Sequence, residues 1–255
     1  MKQTISILVA SMLILLSVSS GTSETLYYAI FQAPPFMIGA EKEEHAISGI
    51  DVDIVRKIAS KTHLDIEFIK CPWARCLKMM ESGEVDILSS AYKTPERELF
   101  MRYFDIPFLR SLPISFYFRK GTGYKIESYE DLHSLESIGI LRGASYFQQF
   151  DKDAALNKTE VATQDQLFPM LLQGRFEVMA GYVPTENYRI ITEGYGGKIE
   201  KSAYEYREPA DVFMAISRKS SLIGRFDELN AINAQFFEQG VIQEIVDSYY
   251  RKYTP

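Results

Sequence analysis

Predicted strands and helices alternate along the first part of this chain, and that order restricts the folds it can adopt. The predicted strands are 26–31, 66–68 and 85–88, and the predicted helices start at Asp51 and cover 74–82. Apolar side chains at Ile54, Val55 and Ile58 follow helical spacing, and Gly83 is placed to end the second helix. Alternation of this kind is typical of a parallel sheet covered by helices.

The same order restarts further along, which predicts a second unit of the same kind. Strands are predicted at 114–119, 138–141, 176–180 and 212–216, and helices at 146–150 and 166–173. Two amphipathic helices separated by Gly240 follow. The segments starting at Gly83 and Gly174 match, because each has a helix-ending glycine, an apolar-acid-apolar strand and a small-residue loop with Tyr92 or Tyr182. We interpret them as a weak internal repeat, one copy in each of two lobes.

Arg97 lies in the first turn of a short predicted helix. Thr94 is a good N-cap and Pro95 suits the first helical position. A cation there opposes the helix dipole, whereas a bound anion would be held by the dipole, the free N–H groups and the guanidinium together. We therefore expect a ligand carboxylate at Arg97; a surface salt bridge with Glu96 or Glu98 is the alternative.

The start of the chain has the pattern of a secretory signal peptide over residues 1–23. Lys2 precedes an apolar stretch, small residues follow, and cleavage is expected after Gly21 or Ser23. Removing these residues leaves 27 basic and 34 acidic residues. An acidic, exported chain argues against nucleic acid as a partner and predicts a periplasmic location.

The chain has two cysteines, Cys71 and Cys76, and either a disulfide or two buried thiols is consistent with their spacing. The histidines His45, His63 and His133 are scattered without ligand spacing, so no metal is expected. A nucleophile-base pair and a phosphate loop are also missing from the sequence. We expect no catalytic residue and no cofactor.

A set of short motifs occurs in order along nearly the whole mature chain. The motifs are Pro35-Phe36, Gly-Ile-Asp-Val-Asp at 49–53, Trp73, Gly83 to Arg97 ending in Thr-Pro-Glu-Arg, Tyr-Phe-Asp-Ile-Pro-Phe at 103–108, Tyr-Glu-Asp-Leu at 129–132 and Ile-Gly-Ile-Leu-Arg-Gly at 138–143. With these motifs the chain resembles the bacterial extracellular solute-binding proteins of family 3, the periplasmic receptors of polar amino acid importers.

The resemblance implies an α/β fold of the type II periplasmic-binding-protein kind. Two lobes, each with a mixed central sheet flanked by helices, would be joined by a hinge of two chain crossings. Lobe 1 would comprise residues 24–112 and 211–255, and lobe 2 residues 113–210.

The resemblance also implies which residues bind ligand. Arg97 falls where the family holds the ligand's α-carboxylate, and Trp73 where an aromatic ring covers its side chain. The other candidates are Phe36, Ser90, Ala91, Tyr92 and Thr94 in lobe 1 and Ser145 and Tyr182 in lobe 2. Arg75, two residues after Trp73, either lines the cleft or points outward.

Two departures from the family pattern bear on specificity. Many members place an acidic residue where this chain has Tyr182, and an aromatic residue where it has Ala33. A tyrosine does not neutralise an ammonium. We therefore expect the common amino acids to bind weakly. Open alternatives are a carboxylate without that amine, or an amine held through Glu186 or Tyr182.

The leading functional hypothesis is a monomeric receptor that captures a small carboxylate-bearing polar solute, amino acid or amino-acid-like, by lobe closure. It would deliver the solute to an inner-membrane ABC permease. The alternatives are an exported, dehydratase-like enzyme on the same fold, which would need a positioned acid or base, and a ligand-sensing partner of a membrane kinase.

Overall fold

Ten strands form two five-stranded sheets in the computed structural model, which describes residues 24–39, 46–107, 109, 112–207 and 211–253, with side chains to 251. The strands are β1 (Thr25–Ile30), β2 (Asp65–Lys70), β3 (Ile87–Tyr92), β4 (Met101–Tyr103), β5 (Ile114–Arg119), β6 (Ile138–Leu141), β7 (Lys158–Val161), β8 (Val178–Tyr182), β9 (Ile199–Tyr206) and β10 (Val212–Ser217). The first sheet has the order β2-β1-β3-β10-β4 and the second β7-β6-β8-β5-β9.

Both sheets mix parallel and antiparallel pairs. In the first, β1 runs parallel to β2 and β3, and β10 is antiparallel to β3 and β4. In the second, β6 runs parallel to β7 and β8, and β5 is antiparallel to β8 and β9. The predicted parallel arrangement therefore holds for three strands of each sheet.

Eight helices cover the two sheets in the described part of the chain. They are α1 (Ile50–Thr62), α2 (Trp73–Ser82), α3 (Pro95–Glu98), α4 (Gln148–Lys152), α5 (Leu167–Leu172), α6 (Val183–Thr192), α7 (Phe226–Glu238) and α8 (Val241–Tyr253). We call the first sheet with α1–α3, α7 and α8 lobe 1, and the second sheet with α4–α6 lobe 2. This architecture is the predicted type II fold; the bounds predicted near residues 112 and 210 stay predictions.

Each lobe has its own apolar core, and a third apolar cluster connects the lobes. In lobe 1, α1, α7 and α8 pack on the sheet through side chains such as Ile58, Phe226 and Tyr249. The third cluster brings Trp73 of α2 together with Phe168 of α5. Since this cluster contains packed apolar side chains from both lobes, the lobes are in contact on this side of the cleft.

The predicted elements and the observed ones differ most where pairing with distant strands decides the outcome. The polar connection predicted at 89–93 is wrong, because β3 continues to Tyr92, with Ala91 opposite Phe213 and Tyr92 opposite Val212 of β10. Strands β4, β7 and β9 and helix α6 were not predicted. The helix predicted at 146–150 begins later, at Gln148.

The predicted signal peptide, residues 1–23, lies outside the described residues, as does His45. None of the described helices combines the length and apolar character needed to span a membrane. In the described ranges, no cluster of three or more histidine, cysteine or acidic side chains is arranged to hold a metal ion.

Candidate ligand-binding cleft

Arg97 lies at the contact between the lobes and is only 7% exposed. Thr94 caps α3 by accepting a hydrogen bond from the Arg97 backbone N–H (3.3 Å), and Pro95 occupies the first turn, as predicted. The guanidinium donates from Nη1 to the Tyr92 carbonyl (3.0 Å) and from Nη2 to the Gly143 carbonyl of lobe 2 (3.1 Å). Because α3 is only four residues long, its dipole is weak. Arg97 would therefore attract an anion mainly through its own charge.

Trp73 meets the same carbonyl of lobe 2. Its Nε1 donates to the Gly143 oxygen at 2.8 Å, and the Arg97 guanidinium carbon lies 5.3 Å from its ring centroid. Gly143 has a φ of +73°, and a Cβ there would be 3.4 Å from the Ala74 Cβ. The loop after β6 therefore approaches α2 closely, and one carbonyl of lobe 2 links both predicted ligand residues of lobe 1.

Ser90 adopts a role that the sequence did not indicate. It has a φ of +56°, and its hydroxyl donates to Asp51 Oδ2 at 2.7 Å. Ser89 donates to the same oxygen at 2.7 Å and accepts from the Tyr28 hydroxyl. The Ser90 hydroxyl is thus engaged inside lobe 1. Burial raises the pKa of Asp51 to about 7, and the two serine hydrogen bonds oppose that rise.

Tyrosine rings occupy the region where the family pattern has its acidic residue. Tyr182 stacks on Tyr146 with centroids 5.3 Å apart and lies 6.0 Å from the Tyr92 ring. The Tyr182 hydroxyl donates to the Ser145 carbonyl at 2.8 Å, while the Ser145 hydroxyl donates to Asp151 at 2.9 Å. Burial raises the pKa of Tyr182, so this part of the cleft presents a neutral phenol.

Two cavities lie between the lobes, and Arg97 lines neither of them. The first, of about 260 Å³, is lined by Phe31, Gln32, Lys70 and Trp73 from lobe 1 and by Leu141, Thr163 and Gln164 from lobe 2, among others. The second, of about 620 Å³, lies between the end of β3 and α4; Tyr92, Thr94, Ser145 and Tyr146 line it. We call them the Trp73 cavity and the Thr94 cavity.

The remaining predicted residues lie elsewhere. Ala91 is fully buried within β3, Phe36 is buried in the lobe 1 core, and Arg75 is exposed on α2; none of them lines either cavity. Cys71 and Cys76 form a disulfide at the start of α2, with their Cα atoms 5.4 Å apart. Cys71 also lines the Trp73 cavity.

A set of buried polar side chains beside the Trp73 cavity, formed by Gln164, Glu186 and Arg189, was not predicted from the sequence. Gln164 is 6% exposed, and its Nε2 donates to Glu186, which is fully buried. Arg189 Nη1 lies 3.7 Å from Glu186 Oε2. Burial raises the pKa of Glu186 to about 8, and the nearby Arg189 opposes that rise. The sequence does contain a signal for this set, because residues 186, 189 and 193 have the spacing that places side chains on one face of a helix.

The family model for bacterial extracellular solute-binding proteins, family 3, matches residues 29–252. The L-cystine-binding protein TcyA of Bacillus subtilis is 20% identical over 214 residues, covering 82% of this chain and 75% of that protein.

Solved structures show the same fold. An ancestral arginine-binding protein bound to arginine has a TM-score of 0.76 at 19% identity, covering 89% of this chain and 98% of that one. An ancestral amino acid-binding protein described as a precursor of cyclohexadienyl dehydratase has a TM-score of 0.72 at 18% identity, covering 88% and 95%. The family match extends over nearly all of the described residues. This chain belongs to the bacterial extracellular solute-binding proteins, family 3.

Proposed function

We propose that this protein is a periplasmic receptor that closes its two lobes around a small carboxylate-bearing polar solute. The observation that carries this proposal is the arrangement of Arg97 and Trp73 of lobe 1 against one carbonyl, that of Gly143 in lobe 2. A side chain that binds the ligand and also touches the opposite lobe couples ligand capture to closure.

A carboxylate is the ligand group that best suits Arg97. A guanidinium has five N–H donors, and the carbonyls of Tyr92 and Gly143 take two of them. Among the described residues, three donors therefore remain for a ligand, which is enough for a forked pair with a carboxylate. Because Arg97 is nearly buried, water competes poorly for these donors.

At Tyr182 the lobe 2 side offers a phenol rather than a carboxylate to an α-ammonium, and the carboxylate of Asp151, which lines the Thr94 cavity, already accepts a hydrogen bond from the Ser145 hydroxyl. Tyr182 and Tyr146 of lobe 2 lie close to Tyr92 of lobe 1, and a phenol contributes a dipole but no charge. We therefore expect the twenty common amino acids to bind weakly and a carboxylate held mainly through Arg97 to bind better. The relatives named for arginine or L-cystine support an amino-acid-like solute.

We further propose that the protein acts as a monomer and delivers its solute to an inner-membrane ABC importer; membership of the family and a solved structure described as the substrate binding protein of an amino acid ABC transporter support the importer role. The dehydratase precursor among the structural relatives keeps an enzyme as the second candidate. For that function an acid or base must contact the substrate, and the buried carboxyl groups of Asp51 and Glu186 are engaged within their own lobes.

The test is a thermal-shift screen of small carboxylates and amino acids, followed by calorimetry on the best hit. Arg97→Ala should weaken binding of that hit about 10- to 100-fold, since hydrogen bonds to a charged group are lost. Arg102→Ala is the matched control, because Arg102 is an exposed arginine of lobe 1 that pairs with Asp227.

Unchanged affinity in Arg97→Ala contradicts the proposed role. Mass spectrometry of the incubated hit separates receptor from enzyme, since a receptor returns the solute unaltered.

A further inference from the structure

Gln164 is the lobe 2 residue whose polar side chain is held most firmly against the Trp73 cavity. It lines that cavity, and its side-chain Nε2 donates to the carboxyl oxygen Oε1 of Glu186. In this pair the amide N–H donates and the carboxyl oxygen accepts, because an amide nitrogen does not accept hydrogen bonds. The amide carbonyl oxygen of Gln164 is then the group left for the cavity. Among the described residues, that oxygen accepts no hydrogen bond.

Arg189 holds the main chain of Gln164 and is itself fixed by two further contacts. Arg189 Nη1 donates to the Gln164 backbone carbonyl at 2.9 Å, so the same helix holds both the main chain and the side chain of Gln164. Arg189 is itself held by Glu193 at 3.1 Å and lies 4.6 Å from the Phe168 ring centroid. A residue fixed in this way recognises a ligand group without a large ordering cost.

Gly181 makes room for the carboxyl group behind Gln164. A Cβ at Gly181 would lie 2.5 Å from Glu186 Cγ, a distance that real Cβ atoms do not show. Glu186 therefore reaches its position only because β8 carries a glycine at this point. Its Oε2 is buried, makes no hydrogen bond among the described residues and lies 3.7 Å from Arg189 Nη1, so the carboxyl group is held within lobe 2.

The walls of the Trp73 cavity suit a polar group that carries N–H bonds. The Phe31 and Trp73 rings meet there with centroids 4.8 Å apart, and aromatic faces attract positive charge and N–H donors. Lys70, an exposed residue of lobe 1, lines the same cavity. Trp73 joins the two ends, since its ring lines the cavity and also lies beneath Arg97.

We propose that Gln164 determines specificity by accepting a hydrogen bond from an N–H donor, an amide or amino group, at the end of the ligand opposite its carboxylate. Glu186 and Arg189 are positioning residues that fix the Gln164 amide. This inference rests on the proposed receptor function and names its ligand class. A second carboxylate is disfavoured, because its oxygens would face the lone pairs of Gln164 and the buried acid behind it.

The test uses four carboxylates that share a five-carbon chain and differ at the far end: pentanoate, glutarate, glutaramate and 5-aminopentanoate. With the wild-type protein, glutaramate and 5-aminopentanoate should bind about tenfold more tightly than pentanoate, as expected for one added hydrogen bond at a buried acceptor. Glutarate should bind more weakly than either.

Variants at position 164 separate specificity from folding. Gln164→Met should bring all four affinities together, because the acceptor is lost. Gln164→Lys should reverse the order in favour of glutarate, because its ammonium pairs with Glu186 and presents a cation to the cavity. Gln173→Met, at an exposed glutamine of lobe 2, is the matched control and should change no ratio.

Glu186→Gln tests the positioning role. The ratio of glutaramate to pentanoate affinity should shrink but stay above one, since Gln164 keeps its carbonyl and loses its fixed orientation. Equal binding of the four compounds by the wild-type protein, or an unchanged ratio in Gln164→Met, overturns the specificity role and leaves the receptor function standing. If the wild-type protein binds none of the four, the specificity role proposed for Gln164 fails, and the thermal-shift screen decides the receptor function separately.

Discussion

The two lobes contain matching units that place a charged residue in different surroundings. In lobe 1, β3 leads into a helix with Pro95 in its first turn and Arg97 two residues later. In lobe 2, β8 leads into a helix with Pro184 in its first turn and Glu186 two residues later. Each strand is preceded by a glycine of positive φ and lies in the middle of its five-stranded sheet.

The side chains of Arg97 and Glu186 nevertheless lie in different surroundings. Arg97 reaches across the cleft to the other lobe, whereas Glu186 is fully buried beneath β8 and faces its own lobe. Gln164, which lines the Trp73 cavity, donates to that acid, and the Tyr182 ring lies near Tyr92 of lobe 1. The same strand-to-helix unit thus directs a cation toward the other lobe in lobe 1, whereas in lobe 2 it places a buried acid beside Gln164 and Arg189.

The largest expected effect comes from breaking the lobe 2 charge group. Arg189→Met should lower the free energy of unfolding by about 3 to 5 kcal/mol, because Glu186 is left buried without its partner. Denaturant unfolding measures this. Arg142→Ala removes the exposed pair with Glu160 and should cost less than about 1 kcal/mol. Equal losses in the two variants would show that burial of the pair is not what matters.

The pH dependence of the free energy of unfolding compares the buried acid of lobe 1, Asp51, with that of lobe 2, Glu186. Burial raises the pKa of Asp51 from 3.8 to about 7 and that of Glu186 from 4.5 to about 8. At these two groups the folded protein then binds more protons than the unfolded chain between about pH 4 and 8. Their contribution to stability is therefore greatest below that window and falls as pH rises through it.

Asp51→Asn should flatten this dependence between about pH 4 and 7 by roughly 1 to 4 kcal/mol, because the amide does not titrate. Unfolding free energies measured by urea titration at several pH values provide the check. A wild-type and variant pair with parallel slopes would mean that Asp51 ionises in the folded protein as readily as in the unfolded chain.

The smallest expected effect concerns Tyr182, a neutral residue of lobe 2 at the cleft. Tyr182→Phe removes the hydroxyl that donates to the Ser145 carbonyl and should lower stability by about 1 kcal/mol. Tyr27→Phe, at an exposed tyrosine of lobe 1, should stay within about 0.5 kcal/mol of wild type. Thermal unfolding of the two variants, measured side by side, distinguishes them. Equal midpoints would show that the Tyr182 hydroxyl does not contribute to stability.

Local features of the site were predictable because they depend on neighbouring residues. Thr94 and Pro95 specify the start of a helix through an adjacent cap and a fixed φ, and the structure has that cap. Gly83 ends α2 in the left-handed region for the same kind of local reason. Alternating strands and helices likewise predicted the fold class.

Features that depend on distant partners were missed or misplaced. Ser90 was expected to offer its hydroxyl to ligand, but Asp51, 39 residues away, takes it. Gln164 was not singled out, because its significance comes from Glu186 on another element. Strand β3 extends further than predicted because β10, far along the chain, supplies its hydrogen-bonding partner.

The sequence by itself determined the order of elements, the helix caps and the presence of an arginine beside a proline-capped turn. The tertiary structure decided which side chains meet across the cleft. Arg97 and Trp73 share the Gly143 carbonyl although they are 46 and 70 residues away from it. Such contacts depend on how two separately folded lobes close, because hydrophobic packing between the lobes sets the distance and no local propensity encodes it.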